Sequence, residues 1–255
     1  MFAPSAVDRS VQTADSDRKN KVNKHRQMGP EQIQARSFEI IGQLLPDFDQ
    51  SSPHWPIIRR VVHTVGDPSI APLVLIHPGA VPSGVGALLA ARPILTDVRM
   101  VAAGISRKLA GRLGCEVLCA LDEPPASASA PEQPNAARRG EVRQMTSSAA
   151  GIRAISRRIP GSIVAIGNAP TALFELLEML RDGLEPPALV VGTPVGFVGA
   201  AESKRELVSL RPNVPYITLE GTRGGSAVAV AAINALLVMS TAEAEGVGTG
   251  SGNGS

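Results

Sequence analysis

Residues 163–180 read IVAIGNAPTALFELLEML, and this stretch decides the architecture. Four β-rich apolar residues lead into a turn of small residues around Pro170, and a run of helical length follows. A short apolar run bounded by glycine and proline suits a strand buried on both faces, as in a parallel sheet. Reading outward, the same unit recurs. Runs at 73–76, 93–96, 116–120, 188–191 and 216–219 share its length and boundaries, and helical stretches are predicted at 78–91, 97–113, 146–158, 171–181, 200–210 and 226–238. The six runs read as buried parallel strands, and the alternation predicts a three-layer, doubly wound, mostly parallel α/β sheet. Two further helices are predicted ahead of the first strand, at 31–45 (Ile33, Ser37, Ile40, Ile41 and Leu44 inward) and at 53–64.

Composition agrees with one such domain. The 255 residues are 44% hydrophobic and 19% charged, enough to build a sizeable core, which excludes a disordered protein. Seven aromatic residues against 46 glycines and prolines mean a core of Ala, Val, Ile and Leu with many punctuated turns. Residues 1–29 carry a net +3 within the overall +2, so the remainder is −1. A near-neutral body with few aromatics lacks the charge and stacking surface of a nucleic-acid binder. Three segments read as extensions or loops: the basic residues 1–29, the Pro/Ala-rich residues 122–137, and residues 241–255, with glycine at every second position from 246 to 254. The domain is therefore expected at 30–240, between a disordered polar extension and a disordered glycine-rich tail. Cys115 and Cys119 are expected as reduced core thiols. The longest apolar run, about 14 residues near 226–239, falls short of the roughly 20 a bilayer span needs, and the first residues lack a secretory signal's apolar core. A cytoplasmic, membrane-free protein is expected.

In an open parallel sheet, ligands bind beyond the carboxyl ends of the strands. Here those ends are Thr96-Asp97 and the loops 167–171 (GNAPT), 192–196 (GTPVG) and 221–226 (GTRGGS). Small residues there admit close backbone approach to a large ligand, although glycine and proline also simply turn a chain. Nucleotide fingerprints do not fit: the last loop gives G-x-x-G-G after the final strand, and GAVPSGVG (79–86) lacks the lysine and hydroxyl of a P-loop. A mononucleotide binder stays open as a rival reading. No H-x-x-x-H, C-x-x-C or G-x-S-x-G occurs, so neither a metal site nor a serine hydrolase is expected. Among four histidines, His63 stands out in RRVVHTVGD. In the last turn of a helix, near unpaired carbonyls and Asp67, it would be poised as a proton donor, or would merely cap the helix.

Longer strings carry more than generic physics. Arg36-Ser37-Phe38 before Ile40-Ile41, the R-x-V-x-H of 59–63, PILTDVRMVAAGI (93–105), EVLC (116–119), AIGNAPTALFELLEML (165–180), PVGFVGAAESK (194–204) and GGSAVAVAAINAL (224–236) together resemble precorrin-8X methylmutases over roughly residues 30–238. The resemblance implies a flavodoxin-like fold, a homodimer with sites near its interface, and an isomerase of cobalamin biosynthesis that consumes no cofactor. It implies migration of a methyl group from C-11 to C-12 of the tetrapyrrole, turning precorrin-8X into hydrogenobyrinate, or cobalt-precorrin-8 into cobyrinate. The family's proton-donating histidine falls on His63. Candidates to bind the substrate's carboxylate fringe are Arg36, Ser37, Thr96, Asn168, Gly224, Gly225 and Ser226. Where the family shows T-R-S-A, this chain has Thr146-Ser147-Ser148-Ala149, and Arg143 becomes the replacement candidate. Gln34 likewise replaces a tyrosine. A corrinoid-binding protein without turnover is the rival from another class.

Overall fold

The structure is a computed structural model describing residues 28–122, 145–210 and 214–249, with side chains to residue 246. The chain divides into two compact units between Asp47 and Phe48, and each is described by itself. In the first, helix α1 spans Pro30–Leu44, starts at a proline, and is capped where the Gln32 side chain accepts from the Gly29 N–H at 3.1 Å. Of the positions expected inward, Ile41 is buried whereas Ile33, Ile40 and Leu44 are exposed. One described helix provides no second layer of its own to cover an apolar stripe.

The second unit holds helix α2 (Trp55–Val65), then β1 (Val74–Ile76), α3 (Ala80–Leu89), β2 (Ile94–Thr96), α4 (Arg99–Gly104), α5 (Arg107–Arg112), β3 (Val117–Cys119), α6 (Ser147–Ala154), β4 (Ile163–Ile166), α7 (Pro170–Arg181), β5 (Leu189–Gly192), α8 (Ala200–Ser209), β6 (Tyr216–Leu219) and α9 (Ser226–Thr249). The sheet order is β1-β6-β5-β4-β2-β3. Five strands are parallel and form the doubly wound, flavodoxin-like set, with the order reversing between β2 and β4. The expectation of six parallel strands fails at β1, which runs antiparallel to β6, with Val74 opposite Leu219. Three apolar residues at a sheet edge carry no directional signal, and parallel sheets commonly accept one antiparallel edge strand.

Side-chain alternation splits the core into two faces. Ile163 and Ala165 point to the layer of α3, α4, α5 and α9, while Val164 and Ile166 point to that of α6, α7 and α8. The helix expected at 97–113 is two helices. The chain breaks at Ile105-Ser106, where Asn234 of α9 accepts from the Ser106 N–H (2.9 Å) and donates to the Gly104 carbonyl (3.0 Å).

The last helix runs to Thr249, past both the expected end at 238 and the tail boundary at 241. Ala- and Glu-rich residues propagate a helix already nucleated in the core, and Glu245 pairs with Arg112 at 3.1 Å. Its first 21 residues, Ser226–Gly246, are long and apolar enough to cross a membrane, yet more than half of that stretch is buried as the centre of one helical layer. Cys115 and Cys119 are free and buried. The basic extension up to residue 27 and loop residues 123–144 lie outside the described residues, as do the final six.

Candidate active site

At the topological switch the carboxyl ends of β2 and β4 meet through one side chain. Asp97, fully buried, accepts from the Gly167 N–H with Oδ1 (3.0 Å) and from the Asn168 and Ala169 N–H groups with Oδ2 (2.9 and 3.0 Å). Burial pushes its carboxyl up from the usual range, and the three N–H groups partly oppose this. The N-terminus of α7, where a phosphate or carboxylate ligand is conventionally expected, thus already holds the protein's own carboxylate.

The other strand-end loops interlock with this one. Thr193 N–H donates to Ile166 (2.8 Å), Gly225 N–H to Thr193 (2.7 Å), and Gly196 N–H to Thr222 (3.2 Å). Two glycines make the fit possible. A Cβ on Gly167 would fall 2.8 Å from the Ser226 Cα, and one on Gly224 would fall 2.4 Å from the Thr193 carbonyl oxygen. Both clashes involve backbone, which cannot step aside as a side-chain tip can. Gly167→Ala and Gly224→Ala are each expected to destabilise by about 1–3 kcal/mol in urea unfolding. An unchanged midpoint in both would show that the loops do not constrain each other.

Beside these loops, on the α2, α4 and α9 side of the sheet, lies a cavity of about 320 Å³. It is lined by Arg60 and Thr64 of α2, Met100 and Gly104 of α4, and Ser226, Ala227, Val230, Ala231 and Asn234 of α9. Helix α2 is amphipathic because Ile57 and Val61 lie one turn apart; it ends at Gly66, which adopts a left-handed φ of 72°. His63 is in the last turn and exposed, on the flank next to Arg60 and Thr64 rather than in the lining itself. Asp67, expected beside it, commits its oxygens elsewhere. Ser69 donates to them through its N–H (2.9 Å) and hydroxyl (2.8 Å), and the Arg223 guanidinium is 3.3 Å away. The Ser69 hydroxyl and N–H, in that order, hold its carboxyl low.

The sequence-derived candidates separate accordingly. Gly224, Gly225, Ser226 and the Asn168 backbone converge at the strand ends, with the Asn168 side chain exposed. Thr96 is fully buried, its hydroxyl donating to the Leu118 carbonyl at 3.0 Å, so it supports the sheet and does not line the cavity. Arg36 and Ser37 belong to α1 in the first unit, where Arg36 pairs with Glu39 at 2.5 Å. Arg143 lies outside the described residues. Ser147 opens α6 behind Thr146, whose hydroxyl accepts from the Ala149 N–H. Among the described residues no three His, Cys, Asp or Glu side chains could share a metal.

Sequence reasoning placed Asp97 at a strand end without giving it a role, and missed Arg60 and Lys204. An aspartate directly after a buried strand is a recognisable signal; a lysine in a helix that otherwise presents charge to solvent is not. Lys204 is 2% exposed and its Nζ donates to the Arg223 carbonyl at 2.5 Å, pinning the 221–226 loop. Burial lowers its ammonium from 10.5 to about 8. The unfolded chain therefore holds this proton over a pH range where the folded one has released it. Stability should rise as pH increases from about 8 towards 10.5, and Lys204→Met should lose that rise. Urea midpoints of both proteins at neutral and alkaline pH check this. A parallel pH response would show that Lys204 does not titrate in the fold.

Comparison with known proteins places this arrangement. A family model described as precorrin-8X methylmutase matches residues 32–239. The cobalt-precorrin-8 methylmutase of Priestia megaterium is 36% identical over 211 residues, covering 83% of this chain and 88% of that protein. The precorrin-8X methylmutase of a Sinorhizobium species is 44% identical over 206 residues, covering 80% and 92%. The solved precorrin-8X methylmutase from Thermus thermophilus superposes with a TM-score of 0.71 at 35% identity, covering 83% of this chain and 98% of that one. The chain therefore belongs to the precorrin-8X methylmutase family, as an isomerase enzyme of cobalamin biosynthesis.

Proposed function

We propose that this chain, as a cytoplasmic homodimer, moves the methyl group on C-11 of precorrin-8X to C-12, giving hydrogenobyrinate, with His63 as general acid. Cobalt-precorrin-8 would yield cobyrinate by the same step. The bond from C-11 to the methyl carbon breaks and the bond to C-12 forms within one molecule, so no atoms or electrons are gained or lost. A proton held at a ring nitrogen draws electron density away from the migrating centre and is returned afterwards. His63 can lend that proton because its imidazole is exposed and one helical turn from Arg60, at the edge of the cavity. This juxtaposition of an accessible imidazole with a lined cavity beside the glycine-rich strand ends is the observation that carries the reading.

The mononucleotide alternative loses ground at α7, whose N–H groups already hold Asp97. The test is to incubate the purified chain with precorrin-8X, metal-free and cobalt-loaded, and to follow the absorption spectrum and the product's identity. Conversion to hydrogenobyrinate or cobyrinate is expected. Pigment that binds tightly and stays unchanged would instead establish the binding protein without turnover. Sedimentation at twice 26.5 kDa checks the dimer.

A further inference from the structure

The last turn of α2 carries His63 but has no core beneath it. Val62 is buried, residues 63–66 are all exposed, and the next buried side chain along the chain is Ile70. A Cβ placed on Gly66, which closes the helix, would meet nothing within 4 Å. Segments with few buried apolar contacts open most readily, so the position of this turn rests on the polar contacts that follow it.

Those contacts converge on one residue of a distant loop. Arg223 Nη1 donates to the Ser69 hydroxyl at 3.0 Å and lies 3.3 Å from Asp67 Oδ2. The Ser69 hydroxyl donates to that same Asp67 oxygen at 2.8 Å, which closes a triangle. Arg223 is gripped a second time at its main chain, where Lys204 Nζ donates to its carbonyl at 2.5 Å. Lys204 is buried in α8, in the layer on the opposite face of the sheet from α2 and α9. Arg223 thus joins a buried anchor on one face to an exposed helix end on the other. It does so three residues before Ser226, which lines the same cavity as Thr64 of α2. A lone exposed ion pair would hold little, but one guanidinium on two linked partners, with a buried cation behind it, forms a network.

We propose that Arg223 is a positioning residue for the methyl shift: gripped by Lys204 and clamped on Asp67 and Ser69, it sets where His63 stands relative to the glycine-rich start of α9. The inference rests on the reading of His63 as the acid. A reacting group displaced by about an ångström can lose roughly a hundredfold in rate although nothing that touches substrate has been removed. Arg223 and Asp67 are also 49% and 40% exposed, so losing their contact should barely change stability. Effects on rate and on fold therefore separate.

The full-length wild type, Arg223→Gln, Arg223→Lys, Asp67→Asn, the Arg223→Gln/Asp67→Asn double variant and Lys204→Met are to be compared in three measurements: single turnover with saturating precorrin-8X, titration with hydrogenobyrinate, and amide hydrogen exchange. Arg223→Gln should slow the chemical step about ten- to a hundredfold, with product affinity and melting temperature nearly unchanged. Arg223→Lys keeps the charge but loses the fork and should fall between, and the double variant should be no slower than the slower single one, since both break one contact. Exchange across residues 62–70 should quicken about tenfold in Arg223→Gln and in Lys204→Met, which lies on the other face of the sheet, while residues 163–166 stay protected. If Lys204→Met fails to fold, the Arg223 variants still decide. Wild-type exchange at 62–70 in Arg223→Gln overturns the clamp. Weaker product binding at an unchanged single-turnover rate overturns the positioning role by making Arg223 a substrate-gripping residue. A wild type that isomerises precorrin-8X no faster than Arg223→Gln removes only this role; a wild type that never isomerises it removes the reading of His63 and the role together.

Discussion

His63→Ala is expected to lower methyl migration by about 10²-fold or more, the usual contribution of a positioned acid, while pigment binding stays nearly unchanged. The separation follows from where the residue is. His63 is exposed in the last turn of α2, and the residues that anchor that helix are Trp55, Ile57, Val61 and Val62. Removing an exposed imidazole away from the packed face alters stability by only about 0.5 kcal/mol. A fall in turnover would then report on chemistry rather than on a damaged fold. Single-turnover absorption measurements with saturating precorrin-8X read the chemical step directly, and a titration with product reads binding. Unchanged turnover would take His63 out of the mechanism. Binding lost together with turnover would recast it as a substrate-gripping residue.

Asp97→Ala should cost about 3–5 kcal/mol, the range for breaking a buried charged network by deleting one side of it. Three backbone N–H groups would lose their acceptor in a place that water reaches poorly, each at about 1–3 kcal/mol before relaxation. Against a typical stability of roughly 5–15 kcal/mol, such a loss approaches global unfolding. Asp97→Asn separates acceptor from charge: it keeps one oxygen and should recover part of the loss. Because burial raises the folded-state pKa of this carboxyl, its titration favours the fold below its ordinary value of 3.8, and that contribution fades as pH rises through the raised value. Urea unfolding of the three proteins from pH 4 to 7 measures both effects. Wild-type stability in the alanine variant would show that the 167–169 loop is held by something else.

Much of the architecture was legible one segment at a time. The strands at 163–166 and 216–219 were read to the residue, since a four-residue β-rich run between turn residues has few alternatives. What local patterns could not carry were decisions made across the sheet. The direction of β1 depends on β6, some 140 residues later, and the break between α4 and α5 depends on Asn234, whose amide satisfies the backbone on either side of it. The same limit applied to the site. Its loops were visible as clusters of glycine and small polar residues, and His63 as a lone histidine at a helix end, but Arg60 looked like any charge on a helix face and Thr96 like any strand-end hydroxyl. Burial separates them: Thr96 is enclosed and bonded to Leu118, while Arg60 lines a cavity.

By itself, then, the order of residues determined the layer architecture, the placement of small residues at the strand ends and the family, because periodicity, turn chemistry and long matching strings are properties of neighbours in the chain. The folded arrangement alone decided that Asp97 fills the N-terminus of α7, that Lys204 is buried against Arg223, and that Arg60 and Ser226 share one cavity. Those outcomes depend on which groups lose water together, and desolvation is set by contacts between residues far apart in sequence.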